Sequence, residues 1–166
     1  MTPVGKLTVA NAFYVLTFYS YGTAMMDYFL VYPSRAIVGA DEFVAYHALL
    51  EARILPVSVL PFLVITILNA GLLWWRPTGV AKGLVWASLI CLLLDWASSI
   101  FVQIPMNLHL NAGKDPALIQ RVMDTNWGRI VLESAQALLA FILLYRQTTY
   151  YDNDRLTYPT AHADAR

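Results

Sequence analysis

Four stretches of this chain, 9–31, 54–75, 84–104 and 127–145, are each apolar for about 20 residues. That is the length a helix needs to cross a hydrocarbon core of about 30 Å. In lipid, every backbone N–H and C=O must be satisfied within its own segment, so such runs fold as helices packed side by side. The sequence therefore predicts an all-α fold: an integral membrane four-helix transmembrane bundle. Its four-span domain covers 1–146, and a polar, partly disordered cytoplasmic tail covers 147–166. Only 13% of residues are charged, against about 25% in soluble domains. The mean hydropathy of +0.53 agrees. The first run is rich in Tyr and Phe and lacks a small-x-small cleavage site, so it reads as a retained span rather than a removed leader.

Orientation follows from Lys and Arg in the short loops. The end holding both termini and the 76–82 turn carries Lys6, Arg76, Lys82, Arg146, Arg155 and Arg166 against Asp152, Asp154 and Asp164. The opposite end is balanced. The expected location is the bacterial inner (plasma) membrane with both termini cytoplasmic. A formal net charge of zero argues against a nucleic-acid partner. The single cysteine, Cys91, excludes an intrachain disulfide and any cysteine-based zinc or iron–sulfur site.

Of the two outer loops, 41–54 has Phe43, Leu50 and Ile54 on one helical face with His47 among them, and Asp41 placed to cap it. It predicts an extramembrane amphipathic helix between spans 1 and 2, lying on or folding over the outer surface and running into the second span. The other, 106–126, contains a turn at 113–116 and a short helical stretch over 117–123, with Asn126 as cap of the fourth span.

Asp27, Asp95 and Glu133 interrupt the apolar runs. Ionisable groups at that depth are costly and face a bundle interior or cavity. Each run has a polar stripe at helical spacing: Thr17, Ser20 and Asp27; Ser88, Asp95, Ser99 and Gln103; Arg129, Glu133 and Gln136; and, more thinly, Ser58 and Asn69. At ~1.5 Å per residue, Asp27 falls about 6 Å below the outer boundary, and Asp95 and Glu133 about 9–14 Å below it. The stripes predict a polar pocket in the outer half of the bundle, closed toward the cytoplasm, with Arg129 and Glu133 paired one turn apart.

Two chemistries suit these residues. His47 and Glu51 share a helical face, and with His109 and the buried acids they suggest a His/carboxylate site for a single iron, copper or zinc ion. No histidine lies within a run, which argues against haem between helices. Without a metal, His47, Asp27 or Glu133 serves as a proton carrier, and Arg129 stabilises an anionic oxygen. Trp74, Trp75, Tyr32 and Trp127 read as interfacial belt residues.

The motif Gln103-Ile-Pro-Met-Asn107, followed by Asn126-Trp-Gly-Arg129, resembles the DUF1772, or anthrone oxygenase-like, family of small four-span membrane proteins across roughly 10–146. The resemblance implies oxidation of an anthrone-like substrate without a conventional cofactor. It carries over to Pro105, Asn107, Asn126, Trp127 and Arg129.

Together these point to a membrane-embedded oxidoreductase of oxygenase type acting on a lipophilic aromatic or quinone-like molecule. The catalytic candidates are Arg129, His47, Asp27 and Glu133. Asn107, Asn126, Trp127, Gln103 and Asp95 are the substrate-binding candidates. The alternative is a non-enzymatic protein that binds a metal, a cation or a membrane lipid, or an accessory subunit of a membrane complex. Ala135, Ala137 and Ala140 are too few to argue for a helix-packing face, and a homo-oligomer stays open.

Overall fold

A computed structural model of the chain describes residues 1–157. Among them the fold is all-helical. Seven α-helices make four columns. Helix α1 (Pro3–Met26) continues through a π-helical turn, Asp27–Val31, into α2 (Tyr32–Ile37). Helix α3 (Ala40–Ile54) passes through Leu55–Val59 into α4 (Leu60–Trp75). Helix α5 (Lys82–Ser98) passes through Ser99–Gln103 into α6 (Ile104–Leu110), and α7 (Pro116–Thr157) is unbroken. Each column packs on two neighbours, α1 on α4 and α7, and α5 on α4 and α7, which closes a four-column bundle. Among the described residues, three helices are long and apolar enough to cross a membrane: Ala40–Trp75, Lys82–Leu110 and Pro116–Asp154. The first column is not one of these. Asn11, Thr17, Ser20 and four tyrosines dilute its apolar run.

The three π-turns have one cause in common. Each ends two residues before a proline: Pro33, Pro61 and Pro105. A proline inside a helix has no N–H to donate, and its ring presses on the carbonyl four residues back. That carbonyl falls in the middle of each π-turn, where the widened turn absorbs the clash. The Val57 carbonyl, deprived of its donor by Pro61, accepts instead from the Tyr19 hydroxyl at 2.9 Å.

The interior has two apolar cores. The larger joins Phe13, Tyr14, Ile65, Leu72, Val85, Leu92, Ala140 and Leu143 toward the end that holds the N-terminus. The smaller, of Tyr32, Phe43, Leu110, Ile119 and Val122, closes the opposite end. The polar stripes turn inward between them, as expected: Thr17, Ser20, Asn69, Ser88, Asp95, Gln103, Glu133 and Gln136 are all buried. Large apolar side chains such as Val15, Leu63, Ile67, Leu94, Phe101, Val131 and Phe141 point outward, the distribution expected of a surface facing lipid.

Several sequence expectations change. Asn126 is no N-cap, because α7 starts ten residues earlier. Pro116 occupies its first turn and Asp115 Oδ1 accepts from the Ala117 and Leu118 amides, both at 3.0 Å. Asp41 lies in the first turn of α3 rather than at its cap, which is Gly39. The amphipathic helix does run into the second column, as expected. Tyr32 is buried under Arg35 and belongs to no belt. The fourth column runs past Tyr145 into the stretch read as a tail. Gln147 is buried, accepting from the Tyr14 hydroxyl at 3.2 Å and donating to Asn11 Oδ1 at 3.3 Å. The rest of that expected tail, 158–166, lies outside the described residues.

At the same end, Pro77 to Val80 form a tight turn, with Val80 N donating to Pro77 O at 3.3 Å. Gly79 has φ of +86°, and a Cβ there would stand 2.7 Å from Tyr150 Cβ and 3.2 Å from the Arg146 carbonyl oxygen. Gly79→Ala combines left-handed strain with a clash against α7. It is expected to cost about 1–3 kcal/mol, read as a lowered thermal unfolding midpoint in detergent. An unchanged midpoint would mean that α7 does not press on this turn.

Candidate functional site

Between the two cores, at the level of the π-turns, lies a cavity of about 280 Å³. All four columns line it. Its walls differ in character. The first and fourth columns contribute Asp27, Arg35, Asn126, Arg129 and Glu133, with Tyr32 behind. Of all the lining residues, four are exposed: Ile54, Leu55, Ile104 and Leu108. All four are apolar, and they come from the second and third columns. Residues that line a cavity and are also open to the outside mark its mouth. The mouth is therefore largely apolar, with the Glu51 carboxylate, its side chain 37% exposed, at the rim, and it lies at the side of the bundle, facing a charged wall.

Arg129 organises the deeper charge. Its Nε donates to Asp95 Oδ1 at 2.7 Å, one amino nitrogen lies 3.5 Å from Glu133 Oε1, and the other donates to Asn126 Oδ1 at 3.5 Å. Asp95 does not line the main cavity. It faces a second, smaller cavity of about 10 Å³, shared with Thr17, Ser20, Glu133 and Gln136. That is room for about one water beside the unpartnered Asp95 Oδ2. A polar relay continues inward, where Gln136 and Asn69 both hydrogen-bond Ser88. Asp27 lines the main cavity, and among the described residues its carboxylate has neither ion-pair nor hydrogen-bond partner.

Arg35, which lies beyond the first apolar run, is the residue sequence reasoning missed. It is 5% exposed and donates to Asn107 Oδ1 at 2.6 Å, with its guanidinium 5.0 Å from the Tyr32 ring centroid. Burial draws its pKa below the ordinary guanidinium value, partly offset by Tyr32, Tyr46, Asp27 and Glu51. A guanidinium nonetheless stays charged in a protein. Asn107 is held in turn. Its amide donates to the Gln103 carbonyl at 2.8 Å, and its own carbonyl, near the end of α6, meets His47 Nε2 at 3.1 Å. Trp96 is a second omission: it lines the cavity and donates to Thr66 Oγ1 at 3.0 Å.

The structure thus brings together Asp27, Glu133, Arg129, Asn126, Asn107 and Gln103, with Asp95 one step behind. It does not bring His47 or Trp127 to the cavity. His47 is wholly buried, stacked on Phe43 with ring centroids 5.6 Å apart, and serves to hold Asn107. Trp127 is 53% exposed and packs against Tyr28. The expected metal centre does not form. Glu51 Oε1 lies 3.6 Å from His47 Nε2, His109 points outward, and among the described residues no three His, Cys, Asp or Glu side chains converge on one point.

No family model matches the chain, and neither a curated protein nor a solved structure matches it.

Proposed function

We propose that this is a four-span protein of the bacterial inner membrane, with both termini cytoplasmic, whose cavity takes up a lipophilic aromatic or quinone-like molecule from the membrane and oxidises it. The observation that carries the uptake is the cavity's polarity: a largely apolar side mouth opposite a charged wall. Binding sites of this kind are mostly apolar with a few convergent polar groups that fix orientation. The oxidation rests on the resemblance of the 103–107 and 126–129 motifs to the anthrone oxygenase-like family. Asn107, Asn126 and Arg129 of those motifs all line or brace the cavity.

In this reading Arg129 stabilises the oxygen of an ionised substrate, and Asp27 or Glu133 takes the proton that the substrate loses. The test is oxygen uptake by the protein in lipid nanodiscs supplied with anthrone- or quinol-like substrates. The expected result is saturable uptake that Asp27→Asn and Glu133→Gln reduce. Saturable binding without uptake would favour the second reading, a non-enzymatic carrier or accessory subunit. That reading draws on Arg129 itself, whose three nitrogens are already engaged by Asp95, Glu133 and Asn126.

A further inference from the structure

The two arginines of the cavity are not alike. Arg129 faces two carboxylates. Arg35 faces none: among the described residues no carboxylate lies within ion-pair distance of it. Of its three nitrogens only one has an acceptor, the neutral Asn107 Oδ1, and its Nε–H is buried with no partner. A charge is retained in a protein interior when something pairs with it. Asn107 is fixed on both sides by Gln103 and His47, and Asp27 and Glu51 act on the guanidinium through space without pairing with it. What remains beside Arg35 is the cavity that it lines.

We propose that Arg35, steadied by Asn107, is an anion subsite, and that the cavity's ligand is an amphiphile carrying a single negative charge on oxygen. This rests on the reading of the cavity as a binding site. A guanidinium offers a planar fork of donors suited to a carboxylate or to an ionised phenol or enol. A single charge fits better than a dianion, since Asp27 and Glu51 share this part of the cavity. The ligand's apolar body then lies toward Ile54, Leu55, Ile104 and Leu108 and emerges where lipid would be. Asp27, the unpartnered acid nearby, is placed to exchange a proton with the same ligand oxygen.

The test uses the full chain in neutral phosphatidylcholine nanodiscs and three probes: 1-pyrenebutanoate, its methyl ester and inorganic phosphate. The wild type should bind the carboxylate saturably and about 10- to 100-fold more tightly than the ester. Arg35→Gln should bring the carboxylate down to the affinity of the ester, while Arg35→Lys retains part of the preference. Continued binding of the ester by Arg35→Gln shows that this variant is folded and its cavity intact. Equal affinity of wild type for carboxylate and ester would overturn the anion subsite and leave the lipophilic cavity standing. Phosphate binding as tightly as the pyrene carboxylate would overturn the amphiphile. Saturable binding of neither pyrene probe would remove the cavity reading and this inference with it.

Discussion

Arg129→Ala is expected to destabilise the bundle by about 1–3 kcal/mol, less than the loss of a partner from a fully buried ion pair because the Arg129 side chain is 24% exposed. Asp95 is almost wholly buried, and its carboxylate accepts from Arg129 Nε at 2.7 Å. Truncation leaves that carboxylate and Glu133 in the interior without a cation. Pairing the change with Asp95→Asn should return much of the lost stability, because the uncompensated charge goes with it. It should not return binding or activity, because the donor fork is still missing. Arg129→Lys keeps the charge but cannot reach Asp95, Glu133 and Asn126 at once, so an intermediate loss is expected. Unfolding in detergent and substrate binding, followed on the same samples, separate the two roles. Equal stability of wild type and Arg129→Ala would show that the pair contributes nothing to the fold.

Ser58→Trp is expected to abolish binding while leaving stability within about 1 kcal/mol of wild type, since the new ring enters open space rather than a packed core. Ser58 sits in the second π-turn, half-buried, and lines the cavity between Leu55 and Phe62. A drop of 100-fold or more in affinity, about 2.7 kcal/mol, follows if ligand and indole compete for the same volume. A variant that binds normally would place the ligand elsewhere. One that fails to insert would mean that the second column tolerates no bulk at its π-turn.

Much of the arrangement was legible from period and depth. The stripe Ser88, Asp95, Ser99, Gln103 and the i, i+4 pair Arg129 and Glu133 were enough to turn those faces inward and to set the pocket level, because a polar side chain in lipid has nowhere else to go. Arg35 was not legible for the same reason. It follows the end of the apolar run, where a sequence shows only a loop charge, and it becomes part of the site because the helix continues through Asp27–Val31 to Ile37. The shared spacing of the prolines was a signal not used. Pro33, Pro61 and Pro105 stand at the same level of three columns and set the turns that widen there. His47 misled, because a histidine beside a glutamate at i+4 suggests ligation, whereas the ring here supports a backbone carbonyl.

The central claim is that the cavity between the two cores holds a lipophilic molecule that enters through the side of the bundle. The most direct measurement is equilibrium binding of anthrone to the wild type, to Ser58→Trp and to empty nanodiscs of the same lipid. The account predicts saturation near one molecule per chain in the wild type alone, with only linear partitioning in the other two. Linear partitioning in all three, or the same saturation in the blocked variant, would contradict it.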